Sequence, residues 1–391
     1  MPIYLITLLC LLNHSCFSGS RMVMSLYALE LGANQFTIGV LMALYAICPL
    51  FFAIYAGRLA DRLGPRGPMM AGTVGVGIAM LLPPLFPGLI ALYISALLIG
   101  SSFHFFFVSV HGTAGGVGGP ENRARNYSLV SLGFSAAGLI GPFTSGFAID
   151  HLGHLKAFLV LSGFTVAPFL LMWLKPDFLP KAVKPAHDAA QNRVLDLWKM
   201  PKLRGAFIAS GILSAAWDLF QFYFPIYGHS LGLSASVIGT VLATFALATF
   251  IVRIGLPALA KRTSEAEILV YGIFIAAFAF VLFPFFVNPW LLAMVAFILG
   301  VGVGAGQPMS MSLIYALAPA GRTSEAAGLR VMVNNVAHLC IPLFFGSVGA
   351  AFGFVPVFMS NAAMLVAGGA LLRRKHRAEA SSVSIECRRV Q

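Results

Sequence analysis

Moved 200 residues along itself, this chain matches without a gap. Leu31-Gly32 falls on Leu231-Gly232, and Ile38-Gly39 on Ile238-Gly239. Gly72, Pro84 and Gly100 meet Gly272, Pro284 and Gly300. Pro142 and Gly146 meet Pro342 and Gly346, and Gly153 and Phe158 meet Gly353 and Phe358. Glycine and proline set turns, kinks and close helix contacts. A register that shares them shares a backbone plan, not merely an apolar composition, so the chain is two copies of one architecture.

Composition says where that architecture sits. The 391 residues are 59% hydrophobic and 10% charged, which no soluble domain matches. A bilayer crossing takes about 20 apolar residues. Apolar runs in the first half fall at 3–29, 36–57, 68–87, 89–112, 126–149 and 155–174. Those in the second fall at 204–229, 236–257, 267–286, 289–315, 327–351 and 354–372. The first run lacks a basic n-region and a small-x-small cleavage site, and reads as an uncleaved span. The expected fold is an all-α membrane protein with twelve transmembrane helices in two pseudo-symmetric six-helix bundles, 1–174 and 204–372. Residues 175–203 hold Pro176, Pro180, Pro185 and Pro201 among charged side chains, and read as a cytosolic linker with a short amphipathic helix at 194–200 on the membrane surface. The tail 373–391 is basic, then serine-rich, and reads as disordered. The other loops are too short for a soluble catalytic domain.

The net charge of +12 raises the question of nucleic acid, and its placement answers it. Arg58, Arg62, Arg66, Arg123 and Arg125, the basic linker residues, Lys261, Arg262, Arg322 and the basic tail all share one side. The opposite side carries only Lys156. The positive-inside rule puts both termini in the cytoplasm of a multi-pass plasma (inner) membrane protein, and the charge needs no acidic partner. Cys10, Cys16, Cys48 and Cys340 lie in spans and Cys387 in the tail, with neither metal spacing nor a disulfide framework. No metal or other cofactor is expected, and no G-x-x-x-x-G-K-S/T loop speaks for ATP.

Between spans 2 and 3 the chain reads Gly57-Arg58-Leu59-Ala60-Asp61-Arg62-Leu63-Gly64-Pro65-Arg66. This resembles motif A of the major facilitator superfamily, G-x-x-x-D-R-x-G-R-(R/K). With two six-span repeats the resemblance covers nearly the whole chain. It implies a conformational latch of Gly57, Asp61, Arg62, Gly64 and Arg66, in which Asp61 holds the positive end of span 11 near 326–328. The equivalent loop of the second half has Lys261 where the acid would stand. Span 5 reads Ala137-Gly138-Leu139-Ile140-Gly141-Pro142-Phe143-Thr144-Ser145-Gly146. That resembles motif C of the proton-coupled exporters, carried by Gly141, Pro142 and Gly146, although a plain small-residue packing face reads the same way. Motif B is missing: aligned on Gly100, its arginine is replaced by Ala96.

Ionisable groups inside a bilayer are costly and mark function. Of thirteen acids, only Asp218 sits deep in a span. Span 1 carries His14, Ser18, Arg21 and Ser25 at spacings of 4, 3 and 4, one helix face. The repeat maps them onto Ser214, Asp218, Gln221 and Pro225 of span 7. The family resemblance implies that spans 1 and 7 line a central cavity. Span 11 adds Arg330, Asn334 and His338, span 4 His104 and His111, and span 10 Gln307 and Tyr315. Trp217, Tyr223 and Phe107 supply aromatic walls. Asp218 is either a proton carrier or a permanent partner of Arg21, and a pair that breaks as the halves rock combines the two. Arg21 has a second option, an anionic cargo. Arg330 and Arg253 read as snorkelling to the surface. The substrate-facing set is Arg21, His14, Ser18, Trp217, Gln221, His104, Gln307, Asn334 and His338, the histidines read as packing residues rather than relays.

Together these imply a monomeric secondary transporter, not an enzyme, working by alternating access. Its expected partners are protons, the lipid bilayer and a small organic solute of anionic or amphipathic character. Motif C favours proton-coupled export. Arg21 and the missing motif B favour uptake of an organic anion. A non-cycling membrane sensor or lipid-handling scaffold is the reading of another class, and an intact latch speaks against it.

Overall fold

The computed structural model describes residues 2–118, 122–175, 178–179, 196–319 and 322–390. Of residues 52–63, 123–124, 202, 257, 323–324 and 375–390 it describes the backbone alone. The described residues are helical throughout, with no strand. In hydrocarbon every backbone N–H and C=O needs an internal partner, and a helix supplies one within a single segment.

The first half forms α1 (Pro2–Glu30), α2 (Gln35–Leu63), α3 (Arg66–Leu85), α4 (Leu89–Gly116), α5 (Arg123–Leu152) and α6 (His154–Leu174). One helical turn, α7 (Asp196–Lys199), precedes α8 (Pro201–Ser230), α9 (Ala235–Leu259), α10 (Glu265–Leu282), α11 (Pro289–Gly304), α12 (Gly306–Leu317), α13 (Thr323–Phe352) and α14 (Phe354–Val390). Among the described residues, eleven segments are long and apolar enough to cross a membrane, with α11 and α12 forming one of them. The apolar stretch described in α2 is Gln35–Phe51.

The repeat is visible in the backbone. Gly32 and Gly232 turn at φ 79° and 74°, and Gly153 and Gly353 at 84° and 82°, where other residues are strained. Just beyond the first pair, Asn34 caps α2 by accepting from the Thr37 N–H, and Ser234 caps α9 by accepting from the Val237 N–H. Residue by residue, the same turn feeds the same helix in each half.

Within the first half α1 packs on α5 and α3 on α4. Within the second, α8 packs on α13, α9 on α11 and α10 on α14. Between the halves α5 lies against α9 and α2 against α13, one helix pair seen twice through the repeat. A Cβ on Gly39 would strike the carbonyl of Pro342, and a Cβ on Gly239 that of Pro142. Both crossings lie near the face opposite the linker and termini, called here the far face; the other is the linker face.

Two local expectations change. The tail is not irregular, because α14 continues to Val390; Ala, Glu, Arg and Lys beyond Leu372 favour a continued helix. The turn at α7 does not lie free on a surface. Leu197 is buried with Leu203, Phe207 and Ala326, and Trp198 stacks on Phe207 at 6.0 Å.

Candidate functional site

Asp218 lies in the middle of α8 with its side chain 3% exposed. Both oxygens are engaged. Oδ1 accepts from Nη1 of Arg21 on α1 at 3.3 Å, and Oδ2 accepts from Nδ1 of His338 on α13. One carboxylate therefore ties the first half to two helices of the second. Helix period brings Arg21 to it, and the repeat places that arginine and this acid at matching depths. Arg21 Nε is buried without a partner among the described residues. Gln221, one turn along from Asp218, is buried, while Ser18, one turn before Arg21, is half-buried.

A second polar cluster lies on the linker-face side of Asp218, inside the second half. Arg330 donates from Nε to Ser310 Oγ at 3.1 Å and from Nη2 to the Gln307 carbonyl at 3.1 Å and Gln307 Oε1 at 2.5 Å. Ser210 Oγ donates to Asn334 Oδ1 at 3.0 Å. Arg330 is 5% exposed, so it does not snorkel to the surface as its depth alone suggested. Its donors find α12 instead. Trp217, edge-on to Phe245 at 4.9 Å, joins Ser214, Gln307 and Arg330 around a cavity of about 10 Å³, room for roughly one water.

Arg253 is the larger correction. It does not reach for a headgroup but crosses from α9 to α5. Nη1 donates to Ser135 Oγ at 2.6 Å, Ser131 Oγ at 3.2 Å and the Ser131 carbonyl at 3.3 Å, and Nε donates to the Gly304 carbonyl at 3.5 Å. The available signal was the pair Ser131 and Ser135, two hydroxyls at i, i+4 on span 5. His14 packs among rings rather than polar groups, 5.0 Å from Phe134 and 5.4 Å from Phe103. His104 is half-buried and makes no hydrogen bond or ring contact among the described residues, so the structure does not bring it to the Asp218 cluster.

The far-face crossings carry a contact that sequence reasoning missed. Asp150, in the last turn of α5, accepts from the backbone N–H of Ala235 at 3.0 Å and of Ser236 at 2.8 Å, and from Ser236 Oγ. It thus holds the start of α9 across the halves. An acid at a helix C-terminus opposes its own dipole, and this was the hint that a partner lay elsewhere. At the other crossing Tyr223 donates to Gln35 Oε1 at 2.7 Å. Gly141 and Gly146 of the span 5 motif are contact points, a Cβ on the first striking the Ser15 carbonyl and on the second the Ala235 carbonyl. In the loop motif Gly64 turns at φ 79°, and Arg66 donates to the Met172 and Trp173 carbonyls at the end of α6. Gly57, Asp61 and Arg62 lie outside the residues whose side chains are described.

The profile of the Major Facilitator Superfamily matches residues 5–337 and again 230–386. The chain belongs to the major facilitator superfamily. Like other proteins of that superfamily it is a multi-pass membrane transporter and not an enzyme. It is 24% identical over 374 residues to multidrug resistance protein MdtG of Salmonella choleraesuis (strain SC-B67), covering 91% of each chain. It is 26% identical over 324 residues to the class D tetracycline resistance protein of Salmonella ordonez, covering 80% of this chain and 79% of that one. Among solved superfamily folds it resembles the nucleoside transporter NupG, with a TM-score of 0.81 at 13% identity over 96% of this chain and 99% of that one. It also resembles a peptide transporter POT in complex with sulfate, with a TM-score of 0.80 at 15% identity over 96% and 94%.

Proposed function

We propose that this transporter exports a small organic solute in exchange for protons, by alternating access. Twelve spans form two six-helix bundles, 1–174 and 204–372, joined by the linker 175–203, with the linker, the tail 373–391 and both termini in the cytoplasm. The single observation behind the coupling is Asp218, held at once by Arg21 of one half and His338 of the other. A protonated Asp218 no longer attracts the guanidinium. Proton arrival at this site therefore loosens the tie between the halves, and proton departure restores it. The names of the resistance-protein relatives and the span 5 motif support the outward direction.

A second reading keeps the coupling and reverses the direction, as uptake of an organic anion. It is favoured by the guanidiniums of Arg253 and Arg330, which have no carboxylate partner among the described residues.

The test is proton movement in proteoliposomes with a trapped pH dye, driven by a panel of organic anions and lipophilic cations. Wild-type protein is expected to move protons with cargo. Asp218→Asn is expected to abolish that movement while keeping cargo-for-cargo exchange. An Asn variant whose flux still follows the pH gradient would overturn the proposal.

A further inference from the structure

Arg21, Arg253 and Arg330 all lie inside apolar spans, Arg253 three residues from the end of its own, Ala235–Leu256. Arg21 has the acid, Asp218. Arg330 is 5% exposed, with Nε on Ser310 and Nη2 on Gln307. Arg253 differs from both. It is half-buried, its contacts are neutral oxygens, and its Nη2 has no partner among the described residues. A half-buried charge with neutral neighbours and an open donor edge is complementary to an anion, and guanidinium suits a carboxylate.

The surface beside it is aromatic. Ser131 and Ser135, which hold Arg253, flank Phe134 on α5. Phe134 lies 5.4 Å from Phe107 and 5.6 Å from His111, with His14 edge-on. Phe17 stacks on Phe103 at 4.1 Å one layer further. Phe17, Phe107, His111 and Phe134 are all half-buried, so the wall presents ring surface that the protein does not cover. Ring faces stack with rings and contribute beyond their area.

We propose that the cargo is an aromatic carboxylate, its anionic end on Arg253 and its ring system against Phe107 and Phe134. This rests on the reading of the chain as a carrier of small organic solutes and names their class. It moves the anion contact from Arg21, where the sequence placed it, to Arg253. Phe134 lies within one turn of α5 from Ser131 and Ser135, the two serines that hold Arg253, so the ring wall and the guanidinium share that turn.

Equilibrium binding to the purified full chain, with no gradient, tests this apart from coupling. Four probes suffice: naphthoate, its neutral amide naphthamide, the cation naphthylmethylammonium, and cyclohexanecarboxylate. Naphthoate is expected to raise the melting temperature and to bind about tenfold or more tighter than naphthamide and the cation, the margin of one charge-assisted hydrogen bond. It is expected to bind several-fold tighter than cyclohexanecarboxylate, which keeps the carboxylate but loses the ring stacking. Arg253→Gln is expected to erase the preference over naphthamide, and Phe134→Ala the preference over cyclohexanecarboxylate. Should a variant fail to fold, the four-probe comparison on wild type still decides. Naphthoate binding no better than naphthamide, or tighter binding of the cation, overturns the proposal. Naphthoate preference without proton movement would instead remove the coupling and leave the aromatic-anion site standing.

Discussion

At the scale of single residues the weight falls on Asp218. A buried ion pair broken by removing one partner costs about 3–5 kcal/mol, because the remaining charge is left bare. Arg21→Ala should therefore lower the melting temperature markedly, and the double variant Arg21→Gln, Asp218→Asn should recover most of the loss. Equal destabilisation by the single and double changes, read by thermal unfolding in detergent, would count against the pair. Much of this cluster was legible beforehand. Helix period and the repeat put Arg21 and Asp218 at matching depths, and the spacing of Arg330, Asn334 and His338 put a polar face on span 11. What a linear reading lacked was lateral direction. Depth alone sends Arg253 and Arg330 to the nearest headgroup. The hydroxyls that hold Arg253 stand on α5, more than a hundred residues earlier in the chain, and no spacing rule connects them.

Helices introduce a different constraint, that of approach. The carbonyls of Pro142 and Pro342 leave no room for a side chain at Gly239 and Gly39. Leucine at either glycine should hold the far face apart without touching the Asp218 cluster. Spin labels at Leu31 and Leu231, on the far-face turns, would report this as a longer distance; an unchanged distance would mean the crossing yields elsewhere. The shared Gly and Pro positions made these crossings readable as close contacts, and the 34 and 234 caps follow from turn chemistry that any N-cap rule expects. The interruption of span 10 at Ala305 is marked in the sequence by Gly302, Gly304 and Gly306 and by Pro308, which has no N–H to bond the Gly304 carbonyl. The helical tail was misread because serine content was weighed above the helix formers around it.

Across the whole molecule the repeat is symmetric in glycine and unsymmetric in charge. Asp150 of the first half holds the start of α9, whereas its repeat position is Ala350; the loop motif keeps Asp61, whereas its repeat carries Lys261. Asp150→Asn removes a charge-assisted contact worth about 1.5–3 kcal/mol, enough to shift a two-state equilibrium about tenfold or more. The label distance between Leu31 and Leu231 should then broaden toward the far-face-open population. A distribution identical to wild type would mean that Asp150 serves only as a helix cap.

The twin crossings at Gly39 and Gly239 also define an axis. A body pinned at two points turns only about the line through them. Arg253 stands about 21 Å along α9 from Gly239, at 1.5 Å rise per residue. It rides a lever arm on which each degree of rotation gives about 0.4 Å of travel. A tilt of roughly ten degrees thus moves it by about 4 Å, beyond hydrogen-bonding reach of Ser131 and Ser135, while the pivots stay closed. The guanidinium can let go of one half and admit a guest before the seal on the other face has opened at all.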